Sequence, residues 1–226
     1  MHYCAQEQTL PKMDTAVASI RRTSMQHILA ASEKVFAQHG FQGATMTQLA
    51  AAAGLPKANL HYYFGTKERL YRTVLEGILT LWLDDATTWL VPERHPADGL
   101  AGYVRAKMAH SRLRPDASRI FAGELLHGAP HIMLYLGIEL RRTVTDLARV
   151  IEGWSARGLM DPINPVHLLF NIWAMTQTYA DFDVQIRAVL GKVSIDDVEF
   201  ATATETVVAL VLKGSGVRAL EERKSA

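Results

Sequence analysis

The 226-residue chain has one cysteine (Cys4), almost no net charge and no long uninterrupted apolar run. A single thiol excludes an intrachain disulfide framework and any multi-cysteine zinc or iron–sulfur site. The first twenty residues lack the apolar core of a secretory signal. The uncharged stretch from Pro162 to Ala180 is about as long as a membrane span, yet Asn164, Pro165, His167, Asn171 and Gln177 interrupt it. The chain is therefore expected to be cytoplasmic, with no membrane partner. Glycine-rich phosphate loops, nucleophile elbows and paired metal-ligand triads are lacking too, so no catalytic residue, metal or cofactor is expected.

Charge of one sign is also scarce. With 24 Lys and Arg against 23 Asp and Glu the chain is net +1, which excludes a polycation. Resolved along the chain, this balance is a cancellation. Residues 1–72 hold eight basic side chains against four acidic ones, net +4, leaving sixteen against nineteen, net −3, for residues 73–226. The basic end has the electrostatic footprint of a duplex binder.

Period-two alternation is missing nearly everywhere, and what recurs is helical spacing punctuated by Gly and Pro. The expected fold is all-α, with nine or ten helices. Residues 1–20 read as a flexible tail, 21–72 as a helix-turn-helix DNA-binding domain, and 73–226 as a larger ligand-binding and dimerisation domain. The first helix is expected over Ser24–His39 with Gly40 as its stop, and short helices over Thr47–Ala53 and Lys57–Phe64. A fourth is expected from an N-cap at Thr66. Pro92 and Pro96 mark a loop. Helices are expected near 98–111, 116–127 and 132–157, from Asn164-Pro165 to about Phe182, and from Ser194 to Lys213.

Two short helices joined by Gly54-Leu55-Pro56 form the helix-turn-helix pattern. Small Ala50 to Ala53 let the pair cross closely. On the helical wheel Leu60 and Phe64 turn inward, leaving Ala58, Asn59 and Tyr62 outward with His61 and Tyr63 flanking them. Such a short, polar-aromatic face suits the major groove, where an amide reads a base edge and hydroxyls bond phosphates.

The helix opening at Asn164 is apolar over more than half its circumference, including Leu168, Leu169, Ile172, Trp173, Met175 and Tyr179. Gln177 projects into that arc beside Trp173. A buried amide needs partners for its donors and its acceptor, and either the core or a small ligand can supply them. The ligand reading makes a pocket of Trp173, Gln177 and Tyr179 with Trp82, Ile78 and Leu79 from the fourth helix. Glu124 and His127 have a spacing found in helical metal oxidases, although no second such motif exists. On the last helix Val198, Ala201, Val208, Ala209 and Leu212 form an apolar stripe with nothing left in the chain to cover it. This points to a homodimer.

The run of Ile28 to Phe36, Gly40, Thr45, Leu49-Ala50, Gly54, Tyr62 to Phe64, Thr66-Lys67-Glu68 and Leu70 resembles the DNA-binding domain of TetR-type bacterial regulators. His61 stands where the family usually has Tyr, and Pro56 where it usually has a Ser or Thr cap. The resemblance implies a palindromic double-stranded DNA operator as partner. It also implies that Thr45, Thr47, Tyr62, Tyr63 and Lys67 touch phosphates, while Lys57, Ala58 and Asn59 face bases. Further on, Trp82-Leu83, Tyr103-Val104, Ala117-Ser118-Arg119, Gly128-Ala129-Pro130, Gly153-Trp154 and the stretch His167–Phe182 resemble the branch that regulates pyrimidine utilisation. By that resemblance the chain is a repressor released by uracil or a related pyrimidine, with Trp82, Trp173 and Gln177 touching the ring. The same scaffold sensing a purine, an amide-bearing or an aromatic effector stays open at this point.

Overall fold

A computed structural model describes residues 13–218, with side chains from residue 21 onward. Every regular element among them is helical, and the chain divides into two units that meet between Leu70 and Tyr71. No described helix is long and apolar enough to cross a membrane.

The first unit contains α1 (Met13–Gly43), α2 (Met46–Ala52) and α3 (Lys57–Phe64). α1 starts inside the expected tail, because no Gly or Pro interrupts the sequence between Pro11 and Gly40. Residues 1–12 of that tail lie outside the described part. At Gly40 the backbone turns to φ 65°, a conformation that favours glycine, and the regular helix breaks there. α2 opens with a capping box. The Gln48 N–H donates to the Thr45 hydroxyl at 3.2 Å, and the Thr45 N–H donates to Gln48 Oε1 at 2.9 Å. A cap of this kind stabilises a helix by about 1 kcal/mol. Ile28, Phe36, Leu49, Leu60 and Phe64 make the core of this unit. Of the four small residues only Ala50 and Ala53 are buried, and Ala51 and Ala52 face outward, since the helix crossing uses one edge of α2.

α4 (Lys67–Trp89) opens in the first unit and runs on into the second. The second unit adds α5 (Pro96–Leu113), α6 (Pro115–Leu126), α7 (Met133–Tyr135), α8 (Arg141–Ala156), α9 (Pro165–Asp181), α10 (Asp183–Leu190) and α11 (Asp197–Gly214). Here α5 is the central rod, packed by α9 and α11, with α6 and α8 on α9. It packs closely because glycine replaces side chains where indoles press in. A Cβ at Gly99 would lie 2.8 Å from the Trp154 ring, and one at Gly102 would collide with Trp89. Asn164 caps α9 by accepting from the N–H groups of Val166 and His167, each at 3.1 Å.

Three expectations need correction. The long helix expected over 132–157 runs without a break from Met133 to Ala156, but a π-helical turn, Leu136–Leu140, lies within it between α7 and α8. α10 is an additional helix one residue past α9, held by the Arg187–Asp183 ion pair at 2.9 Å and stopped by left-handed Gly191. On α11, Val208 is buried and Leu212 half-buried against this chain's own core, so of the expected apolar stripe only Val198, Ala201 and Ala209 are exposed.

Candidate functional site

α3 presents an open face. Lys57, Ala58, Asn59, His61 and Tyr62 are exposed, Tyr62 to 74%, while Leu60 and Phe64 anchor the helix from beneath. Tyr63 is half-buried and meets Tyr62 edge-on, with ring centroids 5.3 Å apart. Pro56 precedes the helix without any side-chain cap, so the first backbone N–H groups of α3 point outward unsatisfied by a side chain. At the other end the His61 Nδ1 donates to the Gly65 carbonyl at 2.8 Å, which holds the imidazole along the helix C-terminus.

Two of the expected phosphate contacts have structural duties as well. Thr45 is engaged in the capping box, while Thr47 is exposed. The Lys67 ammonium donates to the carbonyls of Phe41 (2.7 Å) and Ala44 (2.8 Å) and lies 4.5 Å from the centroid of the Phe41 ring. It thereby ties the end of α1 to the start of α4, with one of its three N–H donors left over.

The second unit contains a partly open, mostly apolar cavity of about 110 Å³. An apolar cavity of ~150 Å³ holds a benzene ring, so the space is of single-ring size. Leu79, Trp82 and Leu83 of α4, Tyr103 and Lys107 of α5, Phe121 and Leu125 of α6, and Trp173 and Gln177 of α9 surround it. Leu136 and Leu140 close it, and these are the two ends of the π-helical turn. Trp82 meets Phe121 edge-on at 5.0 Å, and the Trp173 indole N–H donates to the Tyr103 hydroxyl at 2.7 Å.

Two polar groups point into this apolar shell. The Gln177 side-chain amide has no hydrogen-bond partner among the described residues. The Lys107 ammonium also has none, and no carboxylate within ion-pairing distance. It sits 4.0 Å from the centroid of the Trp82 ring, and burial lowers its pKa to about 7 against the weaker pull of Asp181 and Asp85. Behind it, Ser118 donates to Asp181 at 2.6 Å, and His110 contacts Asp85. Burying a cation without hydrogen bonds opposes folding, so a side chain retained in this state is a candidate for function.

The model of the tetR family of bacterial regulatory proteins matches residues 28–74, and that of the YcdC-like protein C-terminal region matches residues 75–218. The HTH-type transcriptional regulator RutR of Escherichia coli (strain K12) is 39% identical over 206 residues, which cover 91% of this chain and 95% of RutR. The chain belongs to the TetR family. It is a DNA-binding transcriptional regulator and not an enzyme. The HTH-type transcriptional repressor NicS of Pseudomonas putida is 28% identical over 68% of this chain and 74% of its own length. The solved transcriptional regulator SCO4942 of Streptomyces coelicolor superimposes with a TM-score of 0.68 at 29% identity, covering 85% of this chain and 98% of that one.

Of the pocket residues expected from the regulator's sequence, Trp82, Leu79, Trp173 and Gln177 line one cavity. Ile78 is buried but is not part of its lining, because it lies one position around α4. Tyr179 packs edge-on against Phe200 and lines a different cavity with Arg112 and Arg119. Lys107, Tyr103 and Phe121 were missed. A lone lysine amid α5's apolar residues was the available signal for the first of these. Glu124 and His127 do not converge on a metal. Buried Glu124 accepts from the His131 N–H at 2.6 Å and from its Nδ1 at 3.1 Å, whereas exposed His127 bonds the Gly123 carbonyl. Among the described residues no group of three metal-ligating side chains exists.

Proposed function

We propose that the regulator is a homodimeric repressor whose operator affinity is lowered by a pyrimidine, uracil or thymine. The observation that carries this reading is a ring-sized, mostly apolar cavity lined by the indoles of Trp82 and Trp173 and by two polar groups, Gln177 and Lys107, that have no hydrogen-bond partner among the described residues. Indoles offer stacking faces, and an amide offers one donor and one acceptor in a plane, which complements the edge of a lactam ring. The similarity to RutR supports the same ligand class.

On the DNA side, Asn59 and Lys57 of α3 face base edges, with Ala58 against the groove floor. Tyr62, Tyr63, Thr45, Thr47 and the spare Lys67 donor take phosphates, and His61 flanks them. The outward N–H groups at the start of α3 add an anion site for one more phosphate. Val198, Ala201 and Ala209 on α11 supply the apolar face that a second copy covers. A two-fold dimer then reads a palindrome with half-sites one helical turn or a multiple apart.

Coupling runs through α4. It contributes Leu79 and Trp82 to the cavity and begins at Lys67 in the DNA-binding unit. A ring seated between the indoles favours one position of α4, and that position no longer matches the groove spacing. Titration calorimetry with uracil and thymine, together with gel-shift assays on genomic fragments selected by the protein, tests both halves. Micromolar binding of the pyrimidines and release of the fragments support the reading. Indifference to both pyrimidines, with DNA binding intact, leaves a regulator of another effector.

A further inference from the structure

We infer that Lys107 sets the effector class, selecting rings that present a carbonyl oxygen and rejecting those that present an amino group in its place. This inference rests on the pyrimidine reading above. The argument starts from what each polar group in the cavity can do. Gln177 has an amide that is nearly symmetrical in shape and reverses its donor and acceptor by a half-turn about its terminal bond. Nothing among the described residues bonds that amide and locks its orientation. Alone, Gln177 therefore accommodates a uracil-like edge, N–H beside C=O, as well as a cytosine-like edge, ring nitrogen beside NH₂.

An ammonium has no such freedom. It carries three donors and no acceptor, so it rewards an oxygen and opposes an NH₂. Lys107 lies on α5 in a lining it shares with Trp173, with its ammonium over the indole of Trp82 and without a carboxylate to absorb its donors. The remaining lining is apolar or aromatic apart from the Tyr103 hydroxyl, which already accepts from Trp173. A ring entering this space meets the ammonium, which only donates, the one hydrogen left on the Tyr103 hydroxyl, and one adaptable amide, and the charged group decides the polarity. Sites that hydrogen-bond a substrate group discriminate strongly against analogues that cannot answer, because the buried polar atom is then left unpaired.

The test compares uracil with cytosine by calorimetry on the full chain at about pH 6, where Lys107 is mainly protonated. The expected result is a preference for uracil of at least about 100-fold. The Lys107→Met variant keeps the apolar contact with Trp82 and removes the donors, and its preference is expected to fall below about 10-fold. Lys107→Arg, still a donor without an acceptor, is expected to keep the direction of the preference. A merely structural lysine would weaken both ligands alike and leave their ratio unchanged. If Lys107→Met does not fold, the same ratio on the unaltered protein is followed from about pH 6 to pH 8, and it is expected to fall several-fold as the ammonium is lost. An unchanged ratio in the variant, or across that pH range, overturns the inference while uracil binding itself stands. If the unaltered protein binds neither ring, the pyrimidine reading fails and takes this inference with it.

Discussion

The Trp173 indole N–H donates to the Tyr103 hydroxyl at 2.7 Å, so one wall of the cavity is held from behind by the central helix of its unit. Tyr103 is buried, and that burial raises its pKa well above the ordinary phenol value, so the hydroxyl stays protonated. Tyr103→Phe removes the acceptor and strands the indole N–H. The expected outcome is a loss of about 1–2 kcal/mol of stability, with uracil affinity about tenfold lower because Trp173 is no longer fixed. Thermal melting and calorimetry on the same preparation check both effects. Unchanged ligand affinity would show that the bond serves the core alone.

Lys107 gives the regulator a pH dependence with a defined sign. The groups facing it are Asp85 on α4, Asp181 on α9, and the cavity's Tyr103, with His110 in contact with Asp85. Its pKa is about 7 in the fold and about 10.4 in the unfolded chain, so between these values the unfolded state holds the extra proton. Stability contributed by this site therefore rises with pH from about 7 to about 10. The difference in melting temperature between the unaltered protein and Lys107→Met should shrink over the same interval. Ligand binding runs the other way. An effector carbonyl favours the ammonium, so binding of the proposed uracil is expected to take up protons and to weaken as pH rises through about 7. Calorimetry in buffers of different ionisation enthalpy measures that uptake directly.

Legibility in the sequence followed the range of the physics. α3 was placed residue for residue, because Pro56 and Gly65 bound it and Leu60 and Phe64 fix its inward face within one turn and a half. Asn164-Pro165 likewise announced α9, since capping is decided over three residues. The π-helical turn at Leu136–Leu140 has no comparable local signal. It sits where α8 meets the cavity, and inserted turns of this kind recur at functional sites. Trp82, Trp173 and Gln177 were recoverable from face periodicity and resemblance. Lys107 was not, because its meaning comes from Trp82, Asp85 and Asp181, which only the tertiary fold brings near it. Tyr179 failed for the opposite reason. It shares a helix with Gln177, but two residues along α9 turn it about 200° away, onto Phe200.

Gly102 is required by a close approach, since its backbone is ordinary helix. The Trp89 ring lies where a Cβ would stand, and the Arg94 guanidinium covers that indole at 4.7 Å from its centroid. In open helix, Gly→Ala stabilises by up to about 1 kcal/mol. Here the Gly102→Ala change is expected to destabilise by about 1–3 kcal/mol, because a half-buried aromatic ring packed on the core must move. Chemical denaturation measures the sign, and a gain in stability would show that Trp89 swings out freely.

Asn59 and Tyr62 share the outward face of α3, and in the proposed function they address different parts of DNA. Asn59 carries a paired donor and acceptor, which suits the edge of an adenine, and Tyr62 carries a single hydroxyl that suits a phosphate. Asn59→Ala is expected to cost about 1–3 kcal/mol on the selected operator and to relax the choice of base at one position per half-site. Tyr62→Phe should weaken all fragments about equally and leave the preferred sequence unchanged, because phosphate contacts carry no sequence information. Repeating the genomic selection with each variant separates the two, since a consensus altered by Tyr62→Phe would place that tyrosine on a base. The small local charge, net +4 over residues 1–72, also sets a shallow salt dependence. Each phosphate neutralised by a Lys or Arg contributes roughly −0.9 to the slope of log affinity against log salt, so the few cationic contacts per half-site, and not the neutral ones, set it. Tyr62→Phe removes a neutral donor and leaves that slope where it was, whereas Lys57→Ala lowers its magnitude by up to about one unit per subunit if the ammonium also neutralises a phosphate.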